Sequence, residues 1–286
     1  MRKRLTRRNL AERLLEVLMI ASLVVVGGSV VSILVTITIK GARALSWDMI
    51  SQVPKGGYYL GKEGGILNAI VGSLYLAGGG TILALAIGLP IALFLRLYIQ
   101  ESRWAGWVRL ALDALWGIPS IVYGAFGFTL MAALHLRSSL LAGILVLTLV
   151  ELPIMTRAMD EVMRMLPAEL EEASYALGAT RIETAVKVVV RQTLPGILTA
   201  VLVAFGRGIG DAASVLFTAG YTDNMPTSLL RPAASLPLAI FFQLGTPYPE
   251  VQERAYAAAL ILTVIILFVS LGSRWLTQRA SRHVVK

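Results

Sequence analysis

The sequence predicts an all-α integral membrane protein with six transmembrane helices, and its hydropathy, its low charge and its apolar runs support that fold class. The 286 residues have a mean hydropathy of +0.73 and only 15% are charged, which is more apolar than soluble domains. Long uncharged runs recur along the chain, and a helix needs about 20 such residues to cross a bilayer. Because the chain has no cysteine, it can form neither disulfides nor thiolate metal sites.

Six segments are long and apolar enough to cross. The fourth contains Glu151, and the fifth contains Arg207 and Asp211. Residues 232–248 are also uncharged, but prolines divide them into pieces too short to span a bilayer. A re-entrant or surface segment is therefore predicted there. The six predicted spans cover residues 17–39, 66–95, 114–134, 138–156, 193–222 and 255–273.

The distribution of basic residues predicts the orientation of these helices. With the N-terminus in the cytoplasm, eighteen of the 26 Lys and Arg residues fall in inner segments, seven in outer segments and one, Arg207, inside a span. This asymmetry follows the positive-inside rule. The formal net charge of +9 is explained by these basic residues beside the spans. The bilayer is therefore the predicted environment, and no nucleic-acid partner is predicted. Both termini are placed in the cytoplasm.

The predicted spans and their orientation divide the chain into four parts. Residues 1–16 are predicted to be a cytoplasmic N-terminal segment, and 17–65 the first transmembrane helix with an extracytoplasmic loop. Residues 66–277 form a transmembrane core, and 278–286 a cytoplasmic tail. The first apolar run exceeds the roughly 7 to 15 residues of a signal-peptide core, so a retained helix is predicted.

A polar helical hairpin is predicted on the cytoplasmic side, at residues 160–195 between the fourth and fifth spans. Pro167 suits the first turn of a helix, and Gly178 suits its C-terminal cap. Thr180 and Glu183 have the spacing of a capping box that begins a second helix. A linker needs only a few residues, so this hairpin indicates a docking partner. A solvated or membrane-surface hairpin is the alternative.

Arg207 is the strongest candidate for a functional residue in the fifth span. An arginine inside a span costs at least about 2.5 kcal/mol and marks a path or a partner. Its planar guanidinium fork matches an oxyanion, with Asp211 orienting it. The alternative is an intrahelical ion pair, because Arg207 and Asp211 are one turn apart. Glu151 is predicted near the cytoplasmic end of the fourth span, where it snorkels or makes an interhelical hydrogen bond.

The hairpin resembles the EAA motif of ABC importer permeases. The resemblance rests on Glu172-Ala173-Ser174 followed by Gly178, in a cytoplasmic loop two spans from the C-terminus. In that family the loop is a coupling helix, inserted in a cleft of the ATP-hydrolysing subunit. The resemblance implies that the chain is not itself an enzyme and that its ATPase-coupling residues are Glu171, Glu172, Ala173, Ser174, Leu177 and Gly178.

Two further segments are similar to the permeases of phosphate-specific importers. Residues 117–124, GIPSIVYG, resemble their PSIVYG segment, and residues 206–212 resemble R-x-x-G-E-T, with Asp211 and Ala212 at the last two positions. Residues 230–262 resemble the A subunit more than its partner C. The resemblance implies a type I importer permease fold of the MetI-like kind, in the inner membrane, with Arg207 and Asp211 lining the substrate path.

The resemblance also implies partners. They are two copies of a cytoplasmic ABC ATPase, a homologous second permease of the C type and an extracytoplasmic phosphate-binding protein. No cofactor is predicted, because His135 and His283 are isolated in the sequence. Two alternatives stay open: a permease for another oxyanion such as molybdate, tungstate or sulfate, and a stand-alone ion-coupled transporter that uses Arg207 and Asp211 as a relay.

Overall fold

A computed structural model of the protein describes residues 2–55 and 63–280, almost entirely as helices. Part of the predicted outer loop (56–62) and of the predicted tail (281–286) lies outside the described residues. In chain order the helices are α1 (Arg2–Ala44), α2 (Trp47–Ser51), α3 (Leu67–Leu97), α4 (Arg103–Trp116), α5 (Ser120–Ala133), α6 (Leu140–Arg164), α7 (Ala168–Ala176), α8 (Arg181–Thr184), α9 (Val190–Ile209), α10 (Leu236–Leu244) and α11 (Pro249–Ala280). A π-helical turn, Ala185–Val189, joins α8 to α9, and an antiparallel strand pair, β1 (Pro54–Lys55) and β2 (Glu63–Gly64), precedes α3.

The helices agree with five or six spans. Five are long and apolar enough to cross a membrane: Glu12–Ala44, Leu67–Leu97, Leu140–Arg164, Arg181–Ile209 and Pro249–Arg279. A sixth exists if α4 and α5, which meet at an angle of 93°, count as one broken span. The structure therefore accounts for each of the six predicted spans, with corrections to the third and the fifth.

The third predicted span, 114–134, is not a single straight helix. The chain bends sharply between α4 and α5, at the segment that ends in Pro119. Proline lacks the N–H that would continue the helix and disfavours a helical residue before it. The 14 residues of α5 extend about 21 Å at 1.5 Å per residue, which is less than the roughly 30 Å of a bilayer core.

The fifth predicted span, 193–222, ends early. Helix α9 stops at Ile209, and residues 210–235 follow without a regular helix. Their carbonyl groups accept hydrogen bonds from the start of α6, as in Ser139 N to Thr218 O at 2.9 Å and Leu140 N to Arg231 O at 2.8 Å. Such backbone is tolerated at membrane depth only where protein or water satisfies it.

The core of the bundle is formed by α3, α6 and α9. Small residues of α3 lie against α6, and methionines of α6 fill the space toward α9; the buried cluster includes Ala84, Ala92, Met155, Met159, Met163 and Ala204. The predicted re-entrant segment contains α10, whose Leu236, Leu238 and Ala239 are buried. In contrast α1 packs on α11, and none of its most apolar window is buried.

Candidate functional site

Arg207 lies in the last turn of α9 with its side chain exposed. The next residue, Gly208, contacts Glu151, which is near the midpoint of the 25-residue helix α6. Arg207 is thus at the middle depth of the bundle, as predicted, although the helix that carries it ends two residues later.

Glu151 is fully buried where α3, α6 and α9 meet. Thr81 Oγ1 of α3 donates a hydrogen bond to its Oε2 at 2.7 Å. Its Oε1 has no hydrogen-bond partner among the described residues and faces Gly208, where a Cβ would overlap it. The predicted interhelical hydrogen bond is present, but the predicted position near the cytoplasmic end is wrong, because α6 continues to Arg164.

Asp211 lies beyond the end of α9 and does not pair with Arg207 within the described residues. Its Oδ1 accepts the N–H of Ser214 at 3.0 Å, which caps the turn that follows the helix. The carboxylates of Asp211 and Glu151 also interact electrostatically. The intrahelical ion pair is therefore absent from this part of the chain, and Asp211 shapes the backbone instead of orienting Arg207.

The two sequence segments that resemble phosphate permeases meet at this site. Gly124 of α5 packs on the backbone after α9: a Cβ there would lie 2.8 Å from the carbonyl oxygens of Ala213 and Ser214. Tyr123 donates a hydrogen bond from its hydroxyl to Leu115 O at 2.9 Å, across the bend between α4 and α5, and interacts electrostatically with Arg207. Tyr123 and Arg207 are 84 positions apart in the sequence (207 − 123), and the fold brings their segments together.

The arrangement leaves a cation exposed at the middle depth of the bundle. No acidic side chain among residues 2–55 and 63–280 pairs with Arg207, and a guanidinium group has the planar donor geometry that matches an oxyanion. Two carboxyl groups flank the end of the helix that carries it: Glu151 contacts Gly208, and Asp211 accepts the N–H of Ser214. The sequence predicted an interhelical hydrogen bond for Glu151 but not its contact with Gly208, and it did not predict the interaction of Tyr123 with Arg207. The signal for Glu151 was a carboxyl inside a span, which by itself indicates a functional candidate.

The coupling hairpin has the predicted caps. Gly178 has a left-handed φ of +82°, and the bonds from Gly178 N to Tyr175 O (2.9 Å) and from Ala179 N to Ser174 O (3.2 Å) complete a Schellman motif. The structure places Pro167 at the N-cap, one residue before α7.

The second arm of the hairpin begins with the predicted capping box. Glu183 N–H donates to Thr180 Oγ1 at 3.3 Å, and Thr180 N–H donates to Glu183 Oε2 at 3.0 Å. Glu183 also pairs with Lys187 at 3.2 Å. The bonds from Thr180 and Lys187 lower the pKa of Glu183 to about 2.

The six predicted coupling residues divide into two groups. Glu171 and Ser174 point inward: Glu171 Oε1 pairs with Arg96 Nε of α3 at 2.7 Å, and Ser174 Oγ lies 2.9 Å from Thr184 Oγ1. The others are exposed, and with them large apolar side chains of the hairpin; the exposed set comprises Glu172, Ala173, Leu177 (90% exposed), Gly178, Ile182 (68%) and Val186 (59%). Exposed apolar groups together on a polar hairpin indicate a protein contact surface.

Residues 84–282 match the family of binding-protein-dependent transport system inner membrane components. The chain belongs to this family. The permease is 32% identical over 246 residues to the phosphate transport system permease protein PstA of Haemophilus influenzae, which covers 86% of each chain. It is 35% identical over 222 residues to PstA 1 of Mycobacterium tuberculosis, covering 77% of this chain and 73% of that one.

The permease also resembles a solved structure, an inward-facing conformation of the MetNI methionine ABC transporter. The TM-score is 0.61 at 19% identity, over 75% of this chain and 95% of that chain. This likeness confirms the predicted type I importer fold. Together with the family match, it makes the permease a multi-pass inner-membrane component of a transporter and not an enzyme.

Proposed function

We propose that the permease forms half of the translocation path of an ATP-driven importer of inorganic phosphate. The observation that carries this proposal is Arg207, a guanidinium without an ion-pair partner among the described residues, exposed at the middle depth of the bundle. In hydrocarbon such a group needs a partner subunit or a water-filled path. The names of the PstA relatives support phosphate as the anion.

In this proposal Arg207 binds two phosphate oxygens through its fork. Asp211, which follows Arg207 by four residues, reduces the net positive potential of the site. A site of balanced charge holds the anion loosely enough to release it. Gly208 lets the buried carboxyl of Glu151 approach the helix end that carries the arginine.

The remaining partners complete the transporter. Two copies of a cytoplasmic ATPase dock on the exposed face of the coupling hairpins, one on this chain and one on a homologous second permease of the C type. A binding protein delivers phosphate to the outer face, and both termini lie in the cytoplasm. Closure of the ATPase dimer moves the hairpin between two states and opens the path alternately.

The test is phosphate uptake by proteoliposomes that contain the permease with its ATPase, second permease and binding protein. Arg207→Gln is expected to reduce uptake at least about tenfold, since a hydrogen bond to a charged group contributes about 1.5–3 kcal/mol and 1.4 kcal/mol is tenfold. Arg207→Lys keeps the positive charge but loses the planar guanidinium group that can bind two oxygens at once. Arg274→Gln, which changes an exposed arginine on α11, is the control.

Three results would contradict the proposal. Wild-type uptake by Arg207→Gln would remove the arginine from the path. Stronger inhibition by molybdate, tungstate or sulfate than by unlabelled phosphate would assign another oxyanion, because an arginine recognises charge and shape more than identity. Uptake without the ATPase would support a stand-alone transporter.

A further inference from the structure

We propose that Arg96 is a positioning residue that fastens the coupling hairpin to α3, so that the cytoplasmic end of α3 and the hairpin move as one body. The inference rests on the proposed coupling to an ATPase and assigns the element that receives the motion. It concerns Arg96 and Glu171, whose contact the sequence did not predict.

Arg96 is buried although it is charged and lies in the last turn of α3. Its side chain is 4% exposed, and that of its partner Glu171 is 13% exposed. Nε donates to Glu171 Oε1 at 2.7 Å, and Nη2 donates to Leu166 O at 3.1 Å. One guanidinium thus holds the corner where the chain leaves α6 and enters α7. A buried pair of this kind is costly to break on one side only.

The second arm of the hairpin is attached to the same place. The guanidinium of Arg181, the first residue of α8, lies 5.1 Å from the centre of the Tyr98 ring, directly after α3, which is within the range of a cation–π contact. Ser174 and Thr184 join the two arms at 2.9 Å. Both arms therefore contact the end of α3, and they also contact each other.

Helix α3 connects this attachment to the Arg207 site. It is a single helix from Leu67 to Leu97, in which Pro90 leaves one backbone hydrogen bond unmade, and its Thr81 donates a hydrogen bond to the buried carboxyl of Glu151. The 15 positions between Thr81 and Arg96 correspond to about 22 Å along a helix. A displacement of the hairpin that carries α3 with it therefore reaches the carboxyl that packs against Gly208.

Distance measurements by electron paramagnetic resonance test the attachment in the complete transporter. Because the chain has no cysteine, spin labels can be placed at exposed positions without removing native thiols. Spin labels on Phe94→Cys and Ala176→Cys measure the distance between α3 and α7. Labels on Phe268→Cys and Ala176→Cys measure the distance between α11 and α7 and serve as the reference pair. The 94–176 distance is expected to stay the same with and without ATP, while the 176–268 distance changes.

Arg96→Gln is expected to broaden the 94–176 distribution even without nucleotide, and to lower the phosphate transported per ATP several-fold while the ATPase still co-purifies. Glu171→Gln should change both values in the same direction. The double variant should change them no further than either single variant, because each substitution removes the same Arg96–Glu171 contact. Lys40→Gln, which removes an exposed cation of α1 that contacts Tyr256 of α11, is the control and should change neither value.

The outcomes separate this inference from the proposed function. A 94–176 distance that changes with ATP in the native protein, or an unaltered distribution in Arg96→Gln, overturns the attachment. A 176–268 distance that ATP does not change contradicts the coupling to an ATPase, while the nucleotide-free comparison of Arg96→Gln with the native protein still decides the attachment.

Discussion

At the scale of single residues, the contact between Gly208 and Glu151 decides how the Arg207 site is built. A carboxyl group buried between three helices needs a neighbour without a side chain, and Gly208 supplies it on α9. Small residues at a helix crossing let the helices approach closely. The structure gives that role to Gly208 in particular.

Gly208→Ala is therefore expected to destabilise the permease. The added methyl group overlaps Glu151 Oε1, and the carboxyl is fixed by Thr81 at 2.7 Å, so the helices must separate. Overpacking of this kind costs about 1–3 kcal/mol. The measurement is the melting temperature of the purified transporter.

Gly206→Ala is the matched control on the same helix. A Cβ at that position meets nothing within 4 Å, and alanine stabilises a helix by about 0.5–1 kcal/mol over glycine. A melting temperature that falls equally in both variants would show that the contact with Glu151 is unimportant.

At the scale of elements, the hairpin depends on two local caps. Their residues were identified from sequence alone because capping is a matter of neighbouring side chains and backbone groups. Gly178 with its positive φ, and Thr180 with Glu183, have the predicted geometry. The contact of Glu171 with Arg96 is separated by 75 positions, and no local pattern predicts it.

Gly178→Val is expected to weaken coupling. A side chain at φ +82° costs about 1–2 kcal/mol, more for a β-branched residue, and the loss of the Schellman motif reorients the two arms. Co-purification of the ATPase and phosphate uptake should both fall. Gly106→Ala, a helical glycine of α4 with open space around it, should leave both unchanged, and normal uptake by Gly178→Val would refute the role of the cap.

The capping box also predicts a pH dependence. Since the pKa of Glu183 is lowered to about 2, its contribution to folding is complete above the ordinary glutamate value of about 4.3. That contribution is lost only as the pH falls from there through about 2. The carboxyl carbon of Glu183, followed by NMR in the reconstituted permease, should not titrate between pH 8 and 4.

Thr180→Val removes the hydroxyl of the cap. The pKa of Glu183 should then move up toward its ordinary value, and the carboxyl should begin to titrate near the lower end of this range. An unchanged titration would mean that the Thr180 hydroxyl contributes little and that the backbone N–H of residue 180 and Lys187 hold the carboxylate.

At the scale of the whole molecule, hydropathy predicts the number of spans but not where two of them break. Residues 212–222 are uncharged and apolar, so nothing in composition distinguishes them from a helix. Their backbone is instead paired with the start of α6, as in Ser139 N to Thr218 O. The bend before α5 was foreseeable at Pro119, whereas the burial of Glu151 depends on three helices that meet only in the folded bundle.

The topology itself can be tested in the cysteine-free chain. If α4 and α5 together cross the membrane, Glu101→Cys and Leu136→Cys, both exposed, should react with an impermeant thiol reagent from opposite sides. Met165→Cys, 83% exposed at the end of α6, should react from the side of Glu101→Cys. Reaction of positions 101 and 136 from one side would make the bent pair re-entrant and reduce the number of spans.

The π-helical turn Ala185–Val189 helps to set the rotation about the α8–α9 helix axis that separates the capping box from Arg207. A π turn accommodates one residue more than an α turn, and each residue of an α-helix advances the azimuth by about 100°. Since the turn lies between the capping box and Arg207, deleting one of its residues would shorten the α8–α9 helix very little. Because the π turn takes up one additional residue within a turn, such a deletion would restore an α turn and keep the direction of the arginine, whereas the same deletion from a uniform α-helix would rotate the arginine by about a quarter-turn.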